Sequence, residues 1–518
     1  MRGSGPMLSP ALVLVAFALA AAAPAQHQHD HHDYETHLDN ADALGTVDFG
    51  AACSDSAARA FNDALALKHH MMYQEARAAF TAIAAEAPGC AMAHWGIAAT
   101  YFQPLWPERP DSEALARGRE HVERAREADP GSARETALVD AVAAFFVAAD
   151  DVGYWSRIKA WADAMADAHA AHSDDLDIAA LYGLSRLALG SAADAETRNR
   201  LYDEAEAALR AVWEREDTHP GAIHYSIHAT DVDGRAENAL DLVAAYSDIA
   251  PSVPHALHMP SHIYVRLGEW DKVIEWNRRS ADAAAGHEVN GAVSFHYIHA
   301  VDYKVYGYLQ QGRVDEAEAV YRESMRDRRH EPGFASAFHA AAMPARIAVE
   351  QRDWEAARAL EPRDPDYLPW DDTYWPEGLT WYARGLGGVH RGDMDLALLA
   401  ERRLQALRDE AEAAGESGFA TYIDIDRRIL SGWIAYADGR HDQAVELMES
   451  AAELEGTIEK HPITPGALLP PYEALGDLYL ALNEPVEALA AYRASDEIWP
   501  GRRNTLDGKA QARESIGR

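Results

Sequence analysis

Leu267-Gly268-Glu269-Trp270-Asp271-Lys272-Val273 ends one amphipathic stretch and opens the next, and the same pattern returns five more times downstream. It recurs at Gln311-Gly312-Arg313-Val314-Asp315-Glu316-Ala317, Gln351-Arg352-Asp353-Trp354-Glu355-Ala356-Ala357, Arg391-Gly392-Asp393-Met394-Asp395-Leu396-Ala397, Asp438-Gly439-Arg440-His441-Asp442-Gln443-Ala444 and Leu482-Asn483-Glu484-Pro485-Val486-Glu487-Ala488. The markers Gly268, Gly312, Arg352, Gly392, Gly439 and Asn483 stand 44, 40, 40, 47 and 44 residues apart. Each interval is one helical hairpin plus a connection. Gly or Asn suits the left-handed position that ends a first helix. The acidic residues that follow suit the positive end of the second helix.

Toward the N-terminus, Tyr73-Gln74-Glu75-Ala76-Arg77-Ala78-Ala79-Phe80 followed by Pro88 has the spacing of a second helix in such a hairpin, and Leu201 to Trp213 is similar. Almost nothing reads as a β-strand, so the class is all-α. From about Ala57 to the C-terminus the chain resembles the tetratricopeptide superfamily. The resemblance implies a right-handed α-α solenoid of some eight to ten helical hairpins.

A chain of 518 residues, 48% of them hydrophobic, is too long for one globular core, which agrees with a repeat array. Residues 1–25 read as a secretory signal peptide: Arg2 is the only charge, an apolar run spans Ala11 to Ala23, and Ala23-Pro24-Ala25 is a cleavage site. Residues 26–47 read as a flexible His-rich tail and residues 48–518 as the repeat domain. The expected location is therefore outside the cytoplasm, periplasmic or extracellular, with no membrane span in the mature chain. A formal charge of −37 argues against nucleic acid as a partner. Cys53 and Cys90 have only each other to pair with, and sequence leaves open whether they form a bridge or stay free. No phosphate-binding glycine loop, Gly-x-Ser-x-Gly elbow or Cys-x-x-Cys pair is present, which removes support for hydride transfer, phosphoryl transfer and serine hydrolysis.

The chemistry that remains is that of histidine. His219-Pro220-Gly221-Ala222-Ile223-His224-Tyr225-Ser226-Ile227-His228-Ala229-Thr230-Asp231, His255-Ala256-Leu257-His258-Met259-Pro260-Ser261-His262-Ile263-Tyr264-Val265-Arg266 and His296-Tyr297-Ile298-His299-Ala300-Val301-Asp302 fall on three consecutive hairpins. On a helix, His224, His228 and Asp231 share a face, as do His258 and His262, and His299 with Asp302. Pro260 either kinks the second of these helices or starts a new one. Imidazoles one turn apart on neighbouring helices are a common way to hold a divalent transition metal, here Zn, Cu or Fe. The expected ligands are His224, His228, Asp231, His258, His262 and His299, with Tyr225, Tyr264 and Arg266 placed to orient a substrate anion. The alternative is a hydrogen-bonded groove of aromatics and histidines that holds no metal.

The stretch His-Pro-Gly-Ala-x-His-Tyr-x-Ile-His followed by His-x-x-His-Met-Pro-Ser-His-Ile-Tyr-x-Arg-x-Gly is similar to segments of a group of exported bacterial tetratricopeptide-repeat proteins. Cys90-Ala91-Met92-Ala93-His94-Trp95-Gly96-Ile97-Ala98 and Leu475-Gly476-Asp477-Leu478-Tyr479 extend the likeness. It implies the fold and marks the His segments, but it supplies no reaction. Elsewhere, Gln26-His27-Gln28-His29-Asp30-His31-His32-Asp33 suits unselective metal capture. Lys68-His69-His70 and His94 read as packing, Tyr101 to Trp106 as an aromatic plug, and Pro362 to Pro376 as a structured connection. Three functions stay open: a metal-dependent protein with a small-molecule substrate, a scaffold holding a peptide or protein in the concave groove, and metal sequestration or delivery.

Overall fold

The protein is seen in a computed structural model that describes residues 44–147, 152–232, 234–326 and 328–517. The expected signal peptide, residues 1–25, and residues 26–43 of the expected tail lie outside these ranges.

Helix pairs follow one another along the described chain, from Asp55–His69 with Tyr73–Glu86 to Pro471–Ala481 with Pro485–Ile498, and Arg503–Ile516 ends the array. The only sheet among the described residues is a two-stranded ribbon, Glu288–Val289 paired antiparallel with Ala292–Val293. The first helix of a hairpin packs on its own partner and on the first helix of the next hairpin, as Phe295–Gln310 does on Phe334–Glu350 and Tyr374–Arg391 does on Ser417–Ala437. That double contact defines an α-α solenoid, the fold expected from the repeats.

Local sequence explains where helices start and stop. Ser54, Asp111, Ser132, Asp175 and Asp194 each accept a hydrogen bond from the backbone N–H three residues on, which satisfies a donor that the first turn leaves unpaired. All six sequence markers have positive φ: Gly268 67°, Gly312 72°, Arg352 55°, Gly392 77°, Gly439 76° and Asn483 63°. At Gly268 a side chain would also meet the Pro500 carbonyl oxygen at 2.8 Å, so both backbone and space demand glycine there.

Pro260 starts a new helical segment, Pro260–Arg266, directly after Pro254–His258. Met259 between them keeps helical angles (φ −53°, ψ −41°), so the axis carries through and His258 still faces His262.

One core cluster runs from Leu44 to Tyr306 and another from Ala335 to Ala491, with Phe295 packed against both. In the first, fully buried Phe80 lies against Phe61 at 5.3 Å, burial worth about 2–3 kcal/mol for such a ring. The array also closes on itself. Asp55–His69 touches Pro220–Thr230, and Phe295–Gln310 touches Arg503–Ile516. The expected tail boundary at residue 47 shifts: Leu44 and Val47 are buried, and the Leu44 carbonyl oxygen is 3.0 Å from His70 Nε2. No helix among the described residues is long and apolar enough to cross a membrane.

Cys53 and Cys90 form a disulfide that closes a separation of 37 residues. Replacing both by Ser is expected to cost the first repeats about 3–4 kcal/mol, the loop-closure value for that separation. A urea titration followed near Trp95 checks this: the variant unfolds earlier than the parent in oxidising buffer, and the difference vanishes in reductant.

Candidate metal centre

Four consecutive first helices bring histidines to one place: Pro220–Thr230 supplies His224 and His228, the Pro254–Arg266 pair supplies His255, His258 and His262, Phe295–Gln310 supplies His299, and Phe334–Glu350 supplies His339. All are buried. His258, His262 and His299 each offer a ring nitrogen, and these nitrogens lie within 4.8 Å of one another.

Hydrogen bonds on the far side of each ring decide which nitrogen is free. Asn277 spends its NH₂ on the Val273 carbonyl at 2.7 Å and turns its oxygen to His258 Nδ1 at 2.6 Å, so that Nδ1 carries the proton. His262 Nδ1 donates to Asp231 Oδ2 at 2.9 Å. His339 Nδ1 donates to Asp302 Oδ2 at 3.0 Å, which leaves its Nε2 to accept from His299 Nδ1 at 2.8 Å. In the neutral rings the three Nε2 atoms therefore all present lone pairs. The Nε2 atoms of His258 and His262 face each other at 2.9 Å. Two lone pairs at that distance repel unless a cation lies between them.

The shell around these rings is charged and well paired. Asp231 accepts from Arg266 Nε at 2.9 Å and from Lys460 Nζ at 2.9 Å as well as from His262. Burial pushes its carboxyl upward, but Lys460, Arg266 and His262 outweigh burial and hold it well below the usual carboxylate range. Asp302 is likewise held low, by Arg346 and His339 against burial. Burial holds His258 and His299 well below ordinary histidine, and their imidazole neighbours add to the effect. His262 is also lowered by burial, in spite of Asp231. The imidazoles are thus kept neutral, the form that binds metal.

A small cavity of about 20 Å³ lies beside His262 and His299, with His228 and His255 also on its wall and Trp106 and His461 closing it. That is room for one water-sized ligand. Tyr303 fastens the cover by donating to the Pro462 carbonyl at 2.7 Å. The chain's own residues from 105 to 107 and 461 to 463 line this cavity, which is far too small to take a peptide.

Two other groups of potential ligands occur. His224, His228 and His255 bring ring nitrogens within 4.8 Å of one another, and two ring nitrogens of His69 and His219 come equally close to a carboxylate oxygen of Asp177. The last set is structural, because every nitrogen has a partner. His219 Nδ1 accepts the Ala222 N–H at 3.2 Å, capping its helix, and Nε2 donates to Asp177 at 3.3 Å. His69 gives its Nε2 proton to the same oxygen at 3.4 Å and accepts from the Tyr225 hydroxyl at 3.1 Å.

The expected ligand set is thus regrouped. His258, His262 and His299 converge, and His224 and His228 form a separate set with His255. Asp231 is not placed as a ligand: it stands at the end of Pro220–Thr230 and is engaged by His262, Arg266 and Lys460. Arg266 is consumed by that pairing and does not face a substrate. Tyr225 is buried on His69, and Tyr264 lies under Lys272 at 4.8 Å, so neither reaches the cavity. Sequence reasoning left out Asn277, His339 and Lys460, read Trp106 only as part of an aromatic plug, and quoted His255 without using it. Position His339 carried one findable signal: it sits in the first helix of the next hairpin, where the His series would continue.

No protein-family model and no curated protein matches the chain. Among solved structures it is similar to yeast Tom70, at 10% identity over 89% of each chain with a TM-score of 0.34. It is similar to the Cut9–Hcn1 hetero-tetramer of the APC/C, at 11% identity over 88% of this chain and 90% of that one with a TM-score of 0.34. A tetratricopeptide repeat protein of Parabacteroides merdae gives 13% identity over 61% of this chain and 93% of its own, with a TM-score of 0.30. The fold assignment rests on the hairpins themselves.

Proposed function

We propose that this is an exported metal-dependent protein whose centre is His258, His262 and His299, with a transition metal ion (Zn, Cu or Fe) held by three neutral imidazoles. The observation that carries it is the set of three Nε2 lone pairs, each fixed by a proton committed elsewhere, with two of them face to face at 2.9 Å. Ligating histidines are oriented by an acceptor on the far nitrogen, commonly a carboxylate, carbonyl or water; here Asp231, the Asn277 amide oxygen and His339 take that place. Three protein ligands beside a water-sized space are the pattern of a catalytic ion, which uses its open position as a Lewis acid or redox centre. The substrate or its reacting end is correspondingly small. The disulfide supports export, since such bonds persist in oxidising compartments.

A binding scaffold is favoured by one separate feature, a cleft of about 350 Å³ lined by Arg352, Trp354, His390, Trp433, Asp477 and Tyr492. It is compatible with a metal centre elsewhere in the chain.

Elemental analysis of full-length mature protein with His27, His29, His31 and His32 replaced by Ala, purified without a His-tag, tests the reading. At least one equivalent of transition metal is expected, lost in a His258→Ala/His262→Ala variant; no metal in the folded parent would sink the proposal. Asp302→Asn and Asn277→Leu should each weaken metal affinity about 10- to 100-fold, read by chelator competition, with helix content unchanged.

Acid should destabilise the metal-free chain. Burial holds His69 at about 3, His70 at about 4, His296 at about 3 and His461 at about 3. The unfolded chain takes up these protons near the ordinary histidine value of about 6.5. Folded pKa values below unfolded ones make the native state lose stability as pH falls from about 6.5 toward 3–4. The slope is up to about 1.4 kcal/mol per pH unit for each such group. Thermal melts of chelated protein across that window check it; a flat profile contradicts it.

A further inference from the structure

His224 and His228 stand one turn apart on Pro220–Thr230 with their rings 5.2 Å apart, and His255 comes to 5.0 Å from His224. Neither ring nitrogen of His255 makes a hydrogen bond, nor does His228 Nε2. His224 has the His69 carbonyl within reach of one ring nitrogen, which leaves its other nitrogen without a partner. At least four buried nitrogens on three touching rings thus have no hydrogen-bond partner in the protein. Buried polar groups are rarely left so. In the His69, Asp177 and His219 set, by contrast, no nitrogen goes unpaired.

We propose that His224, His228 and His255 form a second metal subsite and that the centre is dinuclear, with copper in both positions. This rests on the reading of His258, His262 and His299 as the first subsite. The two sets adjoin: His228 lies 5.9 Å from His262 and His255 lies 6.0 Å from His258, ring to ring. His228 and His255 line the same 20 Å³ cavity as His262 and His299, so both ions face one space that holds a single small bridging ligand. Six neutral imidazoles supply no anionic ligand. Two buried divalent ions would then carry a large uncompensated charge. Monovalent copper halves that charge, a route closed to Zn, and imidazole suits copper; on oxidation a bridging hydroxide offsets part of the added charge.

The test loads the full mature chain, its tail histidines replaced by Ala as above, with Cu(I) under reductant, desalts it, and counts copper per folded chain. The parent is expected to hold two ions, and a His224→Ala/His255→Ala variant one. His255→Gln, which keeps the volume, guards against misfolding of the double variant and should also hold one. Oxidised parent adds a readout that needs no substitution: paired Cu(II) ions coupled through a bridge give an EPR signal far below the copper content, and the variants give the full signal of one isolated ion. One ion in the parent and one in the variants would overturn the second subsite while leaving the first intact. Two ions in the parent and two in every variant would also overturn it. No ion in the parent overturns both subsites together.

Discussion

The carboxylate of Asp231 is the joint on which this structure turns. It ends the helix Pro220–Thr230, receives His262 and Arg266 from the next hairpin, and receives Lys460 from a connection more than two hundred residues away. One negative charge buried among two cations and an imidazole makes no large net contribution to stability. It does fix position, because removing any partner would leave an unpaired charge in a dry interior. The segment carrying Lys460 is thereby held beside the rings, Tyr303 adds its bond to Pro462, and only a small, partly covered cavity is left at this point.

Much of the fold was legible in the sequence because the repeats are written in backbone requirements. A positive φ is a demand that few residues meet, and the six marker positions announce it whatever packs around them. Arg352 shows the other half of the lesson. It sits at φ 55° without being Gly or Asn, and its guanidinium is paired with Glu473 and Asp477. The spacing of the repeats found it where residue type alone would not.

The site was legible only in part, and the physical reason is range. His258 and His262 lie one helical turn apart, so periodicity placed them together. Asn277, His339 and Lys460 come from other helices and connections, and their part is played through hydrogen bonds to residues far away in the chain, which leave no local pattern. Asp231 was expected as a ligand because it shares a face with His224 and His228. Face-sharing says where a side chain points, but not which cations compete for it, and Arg266 and Lys460 won that competition. Tyr225 and Tyr264 failed for a related reason: aromatic residues beside a histidine string are as useful to the core as to a ligand.

The solenoid makes the same device twice. His228-x-x-Asp231 is followed, one hairpin on, by His262 and Arg266, which both bond that aspartate. His299-x-x-Asp302 is followed, one hairpin on, by His339 and Arg346, which bond theirs in the same way. Both copies are sealed by the same connection, since Lys460 meets Asp231 while Arg346 reaches the Gly466 carbonyl at 3.0 Å. The copies also differ in the use of one histidine nitrogen. His262 turns its remaining nitrogen toward His258, whereas His339 spends its own on His299. The second copy has become the support of the first: Asp302 fixes His339, His339 fixes His299, and His299 completes the three-nitrogen face. A stack of repeated hairpins thus yields an asymmetric cluster by repeating one charged unit and letting its second occurrence orient His299.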